Sequence, residues 1–161
     1  MMTVLLIVLA VVITAIVAWS YAMAQRLNRL HIRTDSALQQ LQTSLDRRAA
    51  LVAVLIEGTT EACAKAQRVQ LTYATFALRA EKEREVSAAI MGLQGHIPAP
   101  IVDAEARLQL AHRFYNEAVA DTRALRVRPL VRLLRLGGTA KLPEFFEYTD
   151  YWVSGELTGD F

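Results

Sequence analysis

The chain has one cysteine, three histidines and four prolines in 161 residues, and each scarcity closes off a class of function. Cys63 alone cannot form an internal disulfide, so no disulfide framework holds the fold, which suits a reducing compartment. It also has no nearby base of the kind a nucleophilic cysteine needs, which makes it a small apolar filler. His31, His96 and His112 are far apart, and no Glu-x-x-His, His-Glu-x-x-His or Cys-x-x-Cys pattern occurs. Zinc and di-iron sites therefore lack their usual spacing, and no catalytic residue, metal or cofactor is expected. Gly137-Gly138-Thr139-Ala140-Lys141 misses the phosphate-loop pattern and has no strand before it, so it reads as a turn. A net charge of only +2 implies no strong polyanion partner, and no nucleic acid is expected. No alternating strand pattern of useful length is present, which leaves an all-α chain.

What is present is dominated by Thr3 to Met23, a run without charge, proline or glycine. Its length corresponds to roughly 30 Å of helix, the thickness of a hydrocarbon core. Arg26, Arg29 and Arg33 follow it against the single Asp35, and such an excess of basic residues stays on the cytoplasmic side. The expected placement is a single pass through the cell membrane, N-terminus outside and C-terminal body cytoplasmic. Trp19 and Tyr21 precede the arginines, at headgroup level. A cleaved signal peptide is the competing reading, because Ala22-Met23-Ala24 mimics a cleavage site. Against it stand the missing basic n-region and an apolar run longer than an ordinary h-region. Ala10, Thr14, Ala18 and Ala22 form a small-residue stripe that would admit another transmembrane helix, although alanine is common in spans.

No proline interrupts the join between the span and residues 26 to 57, where Leu27, Leu30, Thr34, Leu38, Leu41, Leu45, Arg48, Val52 and Leu55 line one face. Gly58-Thr59-Thr60-Glu61 marks a turn with a threonine available as N-cap. A second helix is expected over 60 to 93, with Ala62, Ala66, Val69, Tyr73, Phe76 and Ala80 on one face and Ser87 and Ile90 continuing it. Residues 81 to 85 within it read as a solvated charged face. A third is expected over 101 to 127 on the stripe Ile101, Ala104, Leu108, Ala111, Tyr115, Ala118, Thr122 and Leu125. Tyr115 and Asn116 are expected to form a buried polar pair. The expected fold is thus an N-terminal transmembrane helix continuous with an antiparallel three- or four-helix bundle. It divides into an anchor (1–25), a bundle (26–136) and an acidic, aromatic tail (137–161).

Two stretches stand out as surfaces for contact. Arg126, Arg128, Arg132 and Arg135 interleave with leucines, the composition of a helix on anionic lipid or of a cap that closes the bundle. The tail holds half of the chain's aromatics, among them Phe145, Phe146, Tyr151 and Trp152, beside five acids and no base after residue 141. Aromatics so dense either strap back onto the basic segment or dock on a partner. The expected partners are membrane lipids and a membrane or cytoplasmic protein, with a homo-oligomer left open. A non-enzymatic scaffold at the membrane is the leading reading, and an anionic-lipid sensor or remodelling protein the alternative.

Asn28-Arg29-Leu30, Asp35, Ala37 and Leu45-Asp46-Arg47-Arg48 with Leu51-Val52 resemble the N-terminal signature of the LemA family. There an N-x-L segment leads to Q-L-K-R-R-x-x-L-I just after an N-terminal span. Glu105-Ala106-Arg107-Leu108 and Tyr115-Asn116 with Val119 are similar to its second signature, and Pro129 and Phe145-Phe146-Glu147 to its later landmarks. The order is kept over residues 26 to 147. The chain departs from the pattern at Leu38, where a tryptophan is usual, at Ala53, where a proline is, and at Thr122-Arg123 and Arg128. The resemblance implies a bacterial, single-pass, membrane-anchored helical bundle with no established enzymatic activity.

Overall fold

The computed structural model describes residues 1–93, 97–127, 129, 131 and 141–147. Its elements are four helices: α1 (Met2–Leu55), α2 (Thr60–Arg68), α3 (Phe76–Met91) and α4 (Ala99–Arg126), with no strand among the described residues. The chain divides into two units, one of Met1–Asp35 with Ala118–Pro143 and one of Ser36–Glu117 with Glu144–Phe161. Both α1 and α4 contribute to each unit.

In the first unit, α1 begins as an apolar helix long enough to cross a membrane, with none of its apolar window buried. Thr14 satisfies its own hydroxyl within the helix by donating to the Ala10 carbonyl at 2.8 Å. Burial begins where the charges do. Leu27, Leu125 and Val131 form a cluster with Met23 and Leu30 packed on it, so the C-terminal end of α4 lies against the stretch of α1 just past the apolar run. The Thr34 and Thr122 hydroxyls meet at 3.0 Å in the same seam, and Arg33 Nη1 pairs with Asp121 at 2.9 Å on its edge.

In the second unit, Ala49, Val52, Cys63, Ala66, Val86, Ile90 and Ile101 make one apolar core. Phe76 anchors a second group by edge-to-face contacts with Tyr73, Tyr115 and Phe146. The stripe expected on α4 is buried at every position from Ile101 to Leu125. On α1 the expected face is buried or half-buried from Leu27 to Val52, whereas Leu55 is exposed.

Gly58 turns the chain with φ of 79°, a left-handed conformation that an L side chain rarely adopts. Thr59 occupies the N-cap position of α2 but does not cap it. Its hydroxyl points back to the Ile56 carbonyl at 2.7 Å and the Val52 carbonyl at 3.1 Å, closing the end of α1 instead.

The helix expected over 60 to 93 is two helices. Val69 is extended, and 69 to 75 carry β-branched residues whose hydroxyls compete for the backbone. Thr75 Oγ1 accepts from the Thr72 amide at 2.9 Å and lies 2.5 Å from the Gln70 carbonyl, while Arg79 donates to the Val69 carbonyl at 2.7 Å. Leu71 stays buried in the break, its amide donating to Gln42 Oε1. At the far end α3 stops at Gly92, and Pro98 accepts the first amide of α4 from Ile101 at 2.9 Å.

Candidate functional site

Charge gathers in two places, one in each unit. In the second unit three helices send ionised side chains inward. Arg48 on α1 pairs through Nη2 with Glu83 Oε2 at 2.6 Å and through Nη1 with Glu105 Oε2 at 2.9 Å, and it also donates to Ser87 Oγ at 3.1 Å. Arg79 takes the other Glu83 oxygen at 2.7 Å and reaches Asp46 at 2.7 Å. Arg48, Arg79 and Glu83 are wholly buried. Such charges survive removal from water only when paired and hydrogen-bonded, and here the pairing joins α1, α3 and α4. Glu105 Oε1 is buried without a hydrogen-bond partner among the described residues.

Glu83 and Arg79 are the residues that the sequence reading missed. The signal was available: Arg79 and Glu83 are one helical turn apart, on the stripe that runs from Phe76 to Ser87 and Ile90. Charge density over 81 to 85 masked that periodicity.

Residues 141 to 147 return along α4. Tyr115 donates its hydroxyl to the Glu144 carbonyl at 2.6 Å, Asn116 Oδ1 accepts from the Phe146 amide at 3.2 Å, and His112 Nε2 lies 2.7 Å from the Phe146 carbonyl. The described stretch 144 to 147 lies on α4 around His112 to Asn116. Tyr115 and Asn116, expected as a polar pair with a structural hydrogen-bonding role, both bind the returning chain.

In the first unit the seam between α1 and α4 opens as a groove of about 350 Å³ lined by Arg26, Leu30, Arg33, Asp121, Ala124 and Leu125. A groove of similar volume in the second unit is lined in part by Thr43, Ser44, Arg47 and Arg107. Its hydroxyls donate back to the Gln39 and Gln40 carbonyls, and Arg107 is held by Asp103 at 2.8 Å. That hydrogen bond and the guanidinium charge keep the Asp103 carboxyl below its usual range.

The chain matches no family model, no curated protein and no solved structure. The functional reading therefore rests on the residues themselves.

Of the residues expected to touch lipid or a partner, Phe146 is spent inside the fold. It is 1% exposed, against Phe76 and His112. Its neighbour Phe145 is 42% exposed. Arg126 is half-buried and donates to the Lys141 carbonyl at 3.1 Å. Arg128, Arg132, Arg135, Tyr151 and Trp152 lie outside the described residues. Ala10, Thr14, Ala18 and Ala22 are all exposed on α1. Cys63 is buried in the apolar core, and burial raises its thiol pKa above the ordinary range, opposite to what a nucleophile needs. No cluster of metal-ligating side chains occurs among the described residues.

Proposed function

We propose that this chain is a single-pass, membrane-anchored helical bundle of the LemA type that acts as a non-enzymatic scaffold on the cytoplasmic face of the cell membrane. One observation carries the reading. The apolar run of α1 is uncovered along its whole window, while the same helix from Leu27 onward buries a face. A core helix of a soluble protein would be covered there; in a bilayer the exposed side chains face lipid. Pairings along the seam support an antiparallel bundle, since Thr34 meets Thr122 while the lower-numbered Leu27 lies with the higher-numbered Leu125 and Val131. The residues quoted for the LemA resemblance hold the helices and the returning chain in place. Arg48 pairs with Glu105, and Tyr115 and Asn116 hold the chain at Glu144 and Phe146. Arg26, Arg29 and Arg33 support the cytoplasmic placement of the body.

Alkaline carbonate washing of membranes, combined with a fluorescent or phosphatase reporter at the C-terminus, tests anchor and orientation together. Retention in the pellet with an active fluorescent reporter is expected. A soluble polypeptide beginning at Gln25, or an active phosphatase fusion, overturns this reading. The scaffold role requires a stoichiometric partner on affinity capture from detergent-solubilised membranes, and a chain that elutes alone overturns that part.

A further inference from the structure

We infer that the groove between α1 and α4 in the first unit is a binding site for the phosphodiester headgroup of an anionic phospholipid, with Arg26 and Arg33 as its cationic ligands. The inference rests on the membrane anchoring proposed above. Position is the first argument. Arg26 lies three residues past the apolar run that ends at Met23 and Arg33 ten, or about 4.5 and 15 Å along the helix. The headgroup layer occupies roughly the first 5 to 8 Å beyond the hydrocarbon, so the near end of the groove falls inside it and the far end lies about 7 to 10 Å past it.

Charge is the second. Two guanidiniums and one carboxylate line the groove, and Asp121 is engaged with Arg33 at 2.9 Å. Arg26 makes no ion pair or hydrogen bond among the described residues, which leaves one uncompensated cation in a pocket of about 350 Å³. Arg126, from the end of α4, adds a further positive charge in the same unit, as does Arg29 on α1. A guanidinium offers paired donors matched to phosphate oxygens. Shape and continuity are the third. Leu30, Ala124 and Leu125 floor the groove, and Met23 packs on the adjoining cluster, so apolar surface runs from the groove onto the exposed span. A soluble phosphate has no use for that surface. A phospholipid does, because its acyl chains continue along the helix where its headgroup stops.

The test uses the full chain in detergent micelles, with retained lipid read by native mass spectrometry after titration with phosphatidylglycerol or phosphatidylcholine. Preferential retention of phosphatidylglycerol is expected, weakening as salt rises. Changing Arg26→Ala and Arg33→Ala together should lower it by roughly fivefold for each arginine removed. Arg84→Ala with Arg113→Ala, at exposed positions of the second unit, should leave it unchanged. Equal retention of the two lipids overturns the proposal, as does a preference that survives R26A/R33A, or displacement of the lipid by millimolar glycerol phosphate. Thermal melts of R26A/R33A matching the wild type exclude misfolding as the cause of a loss. Loss of preference in a chain that still pellets with membranes removes only this site, whereas a soluble chain removes the anchor.

Discussion

The guanidinium of Arg48 on α1 and the carboxylate of Glu83 on α3 lie 2.6 Å apart, and neither side chain has any exposure to solvent. Glu83 also pairs with Arg79 at 2.7 Å, so one carboxylate bridges two buried cations, while Arg48 keeps Glu105 and Arg79 keeps Asp46 as second partners. Changing Glu83→Gln keeps the shape and removes the charge from the centre of the network, weakening both bridging bonds while each guanidinium retains one carboxylate. Losing charge-assisted hydrogen bonds of this kind costs about 1.5 to 3 kcal/mol, a large share of a marginal stability. The melting temperature should fall by on the order of 10 °C. Glu81→Gln, two residues away and exposed, should leave it unchanged. Equal melts for the two variants would show that the buried network does not hold α1, α3 and α4 together.

Adjacent phenylalanines offer a sharper contrast. Phe146 closes on Phe76 with ring centroids 5.2 Å apart and is 1% exposed, while Phe145 is 42% exposed. Phe146→Ala should destabilise the fold by about 3 to 5 kcal/mol, the usual cost of emptying a buried aromatic site. Tyr115→Phe removes the hydrogen bond to the Glu144 carbonyl and should cost about 1 kcal/mol. Phe145→Ala should cost much less than Phe146→Ala, in proportion to its smaller burial. Limited proteolysis near residues 141 to 147 should quicken in the first two variants alone. Cleavage rates that do not separate Phe145 from Phe146 would refute the strap.

Much of this was legible in the sequence, for identifiable reasons. The α4 stripe from Ile101 to Leu125 was readable because its buried positions are apolar or small at heptad spacing, and periodicity reports burial when the residues match. The long apolar start of α1 was readable from length and lack of charge alone. The break at 69 to 75 was not, since Leu71 and Phe76 continue the apolar pattern across it while threonine hydroxyls take over the backbone bonds. Nor was burial of Arg79 and Glu83, because the run of charges over 81 to 85 masked the helical spacing that puts both on the buried face of α3. The arginines that line the first-unit groove were visible, but as an orientation signal. Only the return of Leu125 and Val131 to Leu27 turns them into a pocket.

Cys63 gives a pH-dependent prediction with a definite sign. Burial disfavours the thiolate, so the folded-state pKa lies above the unfolded one. A group shifted upward contributes stability that is complete below the unfolded pKa and is lost as pH rises toward the folded value. Stability should therefore decline with increasing pH from about 9, near the ordinary thiol value. Cys63→Ala should lower stability at neutral pH, through the emptied volume, yet flatten the alkaline slope relative to the wild type. Thiol labelling at pH 8 should be slow in the folded chain and fast after denaturation. Rapid labelling of the folded protein would contradict the buried placement.

The Thr34 and Thr122 hydroxyls test whether the seam beside the span is tuned for strength or for register. They meet at 3.0 Å, and each also lies 2.9 Å from a carbonyl one turn earlier in its own helix, Leu30 for one and Ala118 for the other. Removing one hydroxyl by Thr122→Val therefore leaves Thr34 with a place for its proton, and the loss should be about 1 kcal/mol rather than the larger penalty of an orphaned donor. Thr34→Val should behave alike. With both changed, nothing polar remains unpaired at that level, and the double variant should be close to the wild type or slightly more stable. A double-mutant cycle in detergent should then return a coupling of opposite sign to the single losses, whereas strictly additive losses would mean that the hydroxyls do not interact. The coupling has a structural consequence. If α4 slid by one turn along α1, Thr122 would lose Thr34 and face leucine instead, so the pair selects the alignment that brings Leu125 to Leu27 and closes the groove beside Arg26 and Arg33.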